Sequence, residues 1–285
     1  MSESFSTTTG EPPCVPIPDS PEPLLTPARA QGWRLPVRAL PSEQAVAEHV
    51  AGLILEAMLD GSGWPLGLAT GRTMEPVYAA LVRRLAALAP QQQERVRQRW
   101  LSFNLDEYVG LAAAAPGSFR AAMHRHLLQP LQLAPSRVLL PDGLAADPHA
   151  EAERYGAALR AAGGIGLQLL GLGLNGHVGF NEPPCGADSR CRCLALSAAT
   201  RRQNAAAFGG DPAAVPAQAI TLGLADILAA RRSLLVVTGA AKAPVLRALL
   251  QEPPSPDLPA SWLQAHPRVE VIADRAALAL AQQPA

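Results

Sequence analysis

From residue 33 onward the chain alternates between two hydrophobic rhythms. Short, mostly apolar runs at residues 34–40, 64–69, 99–105, 167–173, 233–239 and 269–273 read as strands buried on both faces. Longer runs with apolar positions three and four apart, at 42–59, 75–89, 118–131 and 149–162, read as amphipathic helices. Ser42 is the predicted N-cap of the first helix, although Ser42-x-x-Ala45 is not a full capping box. Strands and helices that alternate without an internal repeat predict a parallel sheet covered by helices. Residues 1–32 are rich in Ser, Thr and Pro and have no apolar period, which predicts a disordered extension ahead of one domain over 33–285.

Composition narrows this picture. A chain of 285 residues with 48% hydrophobic content is long enough to bury roughly three quarters of its unfolded surface. Lys and Arg total 24 against 24 Asp and Glu, so no global field attracts nucleic acid or an anionic membrane. No apolar run approaches the roughly 20 residues needed to span a bilayer. The N-terminus lacks the basic-then-apolar pattern of a secretory signal, so a cytoplasmic protein is expected. Cys185, Cys191 and Cys193 follow a C-x5-C-x-C spacing that matches no zinc pattern. With Cys14 they are expected to be reduced thiols, the three clustered ones in a mobile loop, and no metal is expected.

In sheets of this kind ligands bind beyond the carboxyl ends of the strands, and several predicted strand ends carry unusual residues. Gly171, Gly173 and Gly176 form a literal G-x-G-x-x-G. A dinucleotide site also needs a helix opening at the third glycine and an acidic residue about twenty positions on. Here His177-Val-Gly-Phe-Asn-Glu182-Pro-Pro follows and position 196 is Leu196, so no nicotinamide cofactor is expected. His177 and Glu182 flank a turn in which the carboxylate is expected to orient the imidazole for proton transfer. Asp106 and Glu107 directly follow an apolar strand, and burial is expected to raise their pKa values toward the general-base range. The competing reading is that one of the two is solvated or caps the next segment. Thr70-Gly71-Arg72-Thr73 is a small-residue turn leading into a helix, which offers backbone N–H groups and a helix dipole to a phosphate. It lacks the spacing of a nucleoside-triphosphate loop, and an ordinary tight turn is the alternative. Lys242, just past a strand, is a second basic group suited to a phosphate, with a solvated lysine as the alternative. His124 and His126 are expected to be packing or surface residues.

Taken in order, "GLATGRT", "FNLDEYVGL", "SFRAAMHRHLL", "GLGLNGHVGFNEP" and "LLVVTGAAKAPVLRALL" followed by "PASWLQAHPRVEVIAD" resemble the glucosamine-6-phosphate deaminase (isomerase) family, from about Arg34 to about Asp274. The resemblance implies an α/β fold, a modified Rossmann-like parallel sheet flanked by helices in a single domain with a lid segment, and neither nucleotide cofactor nor metal. It implies conversion of glucosamine 6-phosphate to fructose 6-phosphate and ammonia. Asp106 would move the proton between C2 and C1, and His177, supported by Glu182 beside Asn175, would open the sugar ring. The phosphate would lie on Thr70, Gly71, Arg72, Thr73 and Lys242, with Glu107 completing the substrate-binding set. An amino-sugar phosphate is thus the expected small-molecule partner, with no nucleic acid and no membrane; whether the chain acts as a monomer or a homo-oligomer stays open.

Three departures from the family pattern alter these expectations. Asn175 stands where some members carry aspartate, which removes one charge that would favour imidazolium. Ala206 stands where the pattern has a phosphate-holding arginine, and Arg72 is expected to replace it, ahead of Arg201 or Arg202. Leu194, two positions beyond Arg192, and the short run after the last strand go with little or no activation by N-acetylglucosamine 6-phosphate. Galactosamine 6-phosphate stays open as a substrate. A 6-phosphogluconolactonase-type hydrolase and a non-catalytic sugar-phosphate-binding regulator are the rival readings, and ammonia release separates both from a deaminase.

Overall fold

The computed structural model describes residues 25–26 and 32–281. Within the predicted disordered extension, Leu25 and Thr26 instead form a short strand paired antiparallel with Val37 and Arg38, whereas Cys14 and the other residues before Gly32 lie outside the described residues. The strands are β1 (Leu25–Thr26), β2 (Val37–Leu40), β3 (Leu66–Leu68), β4 (Ser102–Asn104), β5 (Asp106–Tyr108), β6 (Val138–Leu139), β7 (Leu167–Gly171), β8 (Arg192–Ala195), β9 (Gln218–Thr221), β10 (Arg232–Val237) and β11 (Val269–Asp274). Eight of them form one sheet in the order β1-β2-β11-β10-β7-β3-β4-β6. It is parallel except where β1 meets β2. All six predicted strands lie in this sheet. Leu169, Leu170, Leu234, Leu235, Val271 and Ile272 are buried at its centre, as expected for strands covered on both faces.

The helices are α1 (Glu43–Leu59), α2 (Glu75–Ala86), α3 (Pro90–Arg99), α4 (Phe119–Met123), α5 (Gln129–Leu131), α6 (Pro148–Ala161), α7 (Ala198–Asn204), α8 (Leu224–Leu228) and α9 (Ala243–Gln251). Ser42 caps α1 as predicted, its hydroxyl accepting from the Ala45 N–H at 3.2 Å. The predicted helix over 118–131 is interrupted. A π-turn, His124–Leu128, separates α4 from α5. Pro130 explains the break, because it has no N–H to donate and its ring crowds the preceding turn. His124 is exposed and His126 partly so, as expected.

The sequence pattern gave no sign of a second, antiparallel sheet in the order β5-β9-β8. It is spliced onto β4 at Leu105, whose N–H donates to Leu68 and whose carbonyl accepts from Leu222. The chain therefore leaves the main sheet at Asn104 and enters the small sheet at Asp106. A separate apolar cluster, including Tyr108, Phe180, Leu196, Ala205, Val215 and Ala219, lies over this small sheet. Phe208 packs edge-on against Tyr108 at 5.4 Å and ties the segment after α7 to that cluster.

Tyr155 of α6 holds the splice from behind. Its hydroxyl is shared between the carbonyls of Asn104, at 2.8 Å, and Leu139, at 3.0 Å. Tyr155→Phe should remove the donor shared by a buried and a half-buried carbonyl and cost about 1–3 kcal/mol. A urea titration should show this as a lower midpoint with an unchanged slope.

Candidate active site

Asp106 opens β5 directly opposite Thr221 of β9. Its side chain is buried, and burial followed by the neighbouring Glu107 charge pushes its pKa up to about 8 from an ordinary 3.8. The carboxylate is covered by the backbone of Gly179. A Cβ there would lie 3.0 Å from Thr221 Oγ1 and 3.4 Å from Asp106 Oδ2, and φ is +58°. Glycine thus meets both the conformational and the spatial demand, and it sets the loop that carries His177 against Asp106.

The glycine pattern serves the histidine in the same way. A Cβ on Gly173 would collide with the imidazole of His177, so the ring lies on bare backbone. The Gly173 N–H donates to the His177 carbonyl at 2.9 Å and closes the turn. Nδ1 of His177 lies 2.6 Å from Asn175 Oδ1. An amide oxygen only accepts, so Nδ1 carries the proton and Nε2 keeps a free lone pair. Burial and the Lys242 charge push the imidazole down to about 4, so it is neutral throughout the physiological range.

Two expected roles change. Glu182 does not touch the imidazole: its carboxylate accepts from the Ser197 N–H and hydroxyl, both at 3.1 Å. Ser197 is the N-cap of α7, so Glu182 ties the histidine loop to that helix, and orienting the ring falls to Asn175. Glu107 is likewise occupied, as the capping alternative anticipated. It accepts from the N–H groups of Tyr108, Phe119 and Arg120 and from the Ser118 hydroxyl. Adjacent strand residues point to opposite faces, which separates it from Asp106, and four donors leave it no capacity for substrate.

The turn at Thr70 to Thr73 joins β3 to α2. Among the described residues the N–H groups of Gly71, Arg72 and Thr73 have no hydrogen-bond partner, and neither do the side chains of Arg72 and Lys242. Lys242 lies in the turn that opens α9, and burial and the Arg72 charge both hold its pKa below the usual lysine value. Arg201 is engaged elsewhere, its guanidinium donating to the carbonyls of Val215 and Ala213. Ala206 is exposed and supplies no charge.

Asn181, which the sequence reading passed over, fastens this arrangement. It is fully buried, donates to the carbonyls of Val178 and Leu222 at 2.9 Å, and accepts from Arg192 at 2.9 Å. The three clustered cysteines are not in an unpacked loop. Cys185 and Cys193 are buried, and burial, with the Asp226 charge, pushes Cys191 up to about 12. Among the described residues no group of three His, Cys, Asp or Glu side chains is placed to hold a metal ion.

The sequence profile described as glucosamine-6-phosphate isomerases/6-phosphogluconolactonase matches residues 41–272. The chain belongs to this family. A glucosamine-6-phosphate deaminase of Streptomyces coelicolor is 41% identical over 239 residues, covering 84% of this chain and 89% of the relative. Glucosamine-6-phosphate deaminase 2 of Bacillus subtilis is 38% identical over 237 residues, 80% of this chain and 93% of the relative. A solved monomeric glucosamine-6-phosphate deaminase superposes with a TM-score of 0.80 at 36% identity, covering 86% of this chain and 99% of that one. A 6-phosphogluconolactonase from Trypanosoma cruzi shares the fold, with a TM-score of 0.68 at 20% identity.

The buried carboxylate sets two expectations. With folded and unfolded values near 8 and 3.8, the native state holds a proton in that interval that the unfolded chain has released. Stability from this group therefore falls as pH rises from about 4 to about 8. Asp106→Asn should raise the melting temperature at pH 8 while abolishing turnover, which calorimetry and an activity assay together would check. Wild-type kcat/KM should climb with pH to a plateau above about 8, the acid limb reporting ionisation of Asp106.

Proposed function

We propose that this protein is a glucosamine-6-phosphate deaminase, which isomerises and deaminates the amino-sugar phosphate to fructose 6-phosphate and ammonia. The observation that carries the reading is the buried Asp106 carboxylate lying against the loop that presents His177. Relatives at about 40% identity over most of the chain bear the deaminase name, whereas the phosphogluconolactonase is likened by fold alone. In this reading the enzyme acts in the cytoplasm; no described helix is long and apolar enough to cross a membrane.

The residues divide the work by charge state. Neutral His177, with Nε2 free, takes the proton from the anomeric hydroxyl and returns it to the ring oxygen as the sugar opens. Asp106, in its ionised form, removes the proton from C2 of the open-chain aldose and delivers it to C1 through an enol-type intermediate. Its raised pKa brings it near the operating pH, where a carboxylate is basic enough to accept a carbon-bound proton. One ammonium proton passes to O1 as the enolamine forms, protonation at C1 leaves a C2 iminium, and water adds to that carbon and expels ammonia to give the ketose. The phosphate lies on the N–H groups at Gly71 to Thr73, Lys242 binds it as a point charge, and Arg72 clamps it in place of an arginine at Ala206.

Coupled assay of ammonia and ketose phosphate tests the activity on glucosamine and galactosamine 6-phosphate; absence of ammonia from glucosamine 6-phosphate would overturn the reading, and the second epimer decides substrate preference. Arg72→Ala should raise KM for glucosamine 6-phosphate at least tenfold with kcat within about threefold, corresponding to one charge-assisted pair of roughly 1.5–3 kcal/mol. An unchanged KM would remove Arg72 from the phosphate site.

A further inference from the structure

The amino ends of the same strands, at the opposite edge of the sheet, enclose a second polar space. A cavity of about 450 Å³ is lined there by Trp64, Arg231, Arg232, Arg268, Glu56 and Asp60, among others. Its floor is the beginning of three strands: Leu66 starts β3, Leu167 starts β7 and Arg232 starts β10. Catalytic candidates lie at the other ends of those strands, so the cavity and the active site are separated by the length of the sheet.

The guanidinium groups in this cavity are not equivalent. Arg232 is committed, its Nη2 lying 3.3 Å from Glu270. Arg231 is stacked, its guanidinium carbon 3.5 Å from the centre of the Trp64 ring. Among the described residues, neither Arg231 nor Arg268 forms a side-chain hydrogen bond or an ion pair within 4.0 Å. Glu56 and Asp60 line the same space, yet neither closes onto an arginine. Two free guanidinium forks thus face a cavity that also offers two carboxylates. This donor set suits a ligand that is anionic at one end and rich in hydroxyl or amino groups at the other.

Trp64 narrows the class further. Arg231 covers the ring from one side, and Gly163 and Gly166 pack against the tryptophan. A Cβ on Gly163 would come within 2.9 Å of the ring, and one on Gly166 would collide with the tryptophan Cβ. The indole is consequently spent on the arginine and on the backbone, and it is not offered as a stacking platform for a nucleobase.

We propose that this cavity is a second ligand site, for a phosphorylated sugar, with Arg231 and Arg268 holding the phosphate and Glu56 and Asp60 accepting hydroxyl groups. The stacked Arg231 is pre-oriented for that task, because its plane is fixed while its N–H edge stays open. The β3, β7 and β10 strands lead from this cavity to the phosphate turn, the histidine loop and Lys242 respectively.

Isothermal titration with fructose 6-phosphate tests the site independently of catalysis. Wild-type protein should bind two equivalents, and a chain carrying Arg72→Ala with Lys242→Ala should retain one. Arg231→Ala and, separately, Arg268→Glu should weaken that remaining site at least tenfold when added to this background. Introduced singly into the wild type, each should keep kcat/KM for glucosamine 6-phosphate within about threefold, which shows that the fold is intact. A wild-type stoichiometry of one, or a second equivalent that survives both arginine changes, would overturn the proposal. AMP binding as tightly as fructose 6-phosphate would overturn the assignment to a sugar phosphate. Failure of ammonia release, by contrast, would count only against the catalytic reading.

Discussion

The arrangement depends on keeping one carboxylate, Asp106, out of water at the point where two sheets are joined. Among the described residues no hydrogen bond stabilises its charge, and the charge that shifts it is that of another carboxylate, Glu107. Burial without compensation is unfavourable to folding, and the group answers by holding its proton to about pH 8. Such a site persists because its surroundings are over-determined. Thr221 stands opposite in the ladder, Gly179 covers the carboxylate, and Asn181 pins the covering loop through two carbonyls and Arg192.

The phosphate end shows the complementary problem in cations. Arg72 and Lys242 lie close enough for the arginine to lower the lysine's pKa, and Lys242 in turn lowers that of His177. Such mutual repulsion is relieved by a dianion, which would interact with all three groups at once. Both cations stand on turns that leave the main sheet, whereas Ala206 lies in the segment after α7. In the proposed reading, phosphate binding would therefore rest on turns of the main sheet. Arg201 of α7 is occupied in bracing Val215 and Ala213.

The parts of this design that were legible in the sequence are those governed by short-range rules. All-apolar runs located the six central strands, and residues placed beyond their carboxyl ends located Asp106, His177, Lys242 and the Thr70 turn. Failures have physical causes too. The predicted strand at 99–105 begins where α3 ends and runs through Leu105 with neither glycine nor proline to break it, so the change of sheet leaves no mark in the hydrophobic pattern. Strands such as Gln218–Thr221 are short and only partly apolar, and give too little periodicity to read. Glu182 pairs with Ser197, fifteen positions away, through a contact that only the tertiary fold creates. Pro130 was visible, but the apolar period around it outweighed the break it imposes.

The redirected Glu182 bears on how the imidazole works. A carboxylate on the ring would stabilise imidazolium and raise its pKa, as would an aspartate at position 175. This chain has neither contact: Asn175 accepts the hydrogen bond from Nδ1 without adding charge, Glu182 is bonded to the α7 cap, and Lys242 opposes a positive ring. Every one of these features favours a neutral imidazole with its Nε2 lone pair exposed. A group that begins neutral can accept the anomeric proton and then return it, ending in its starting state. Ring opening needs that cycle, since one proton leaves the hydroxyl and one reaches the ring oxygen. The same neutrality spares Lys242 a second positive neighbour, so the charge state of His177 and that of the Arg72–Lys242 pair are two consequences of one electrostatic arrangement.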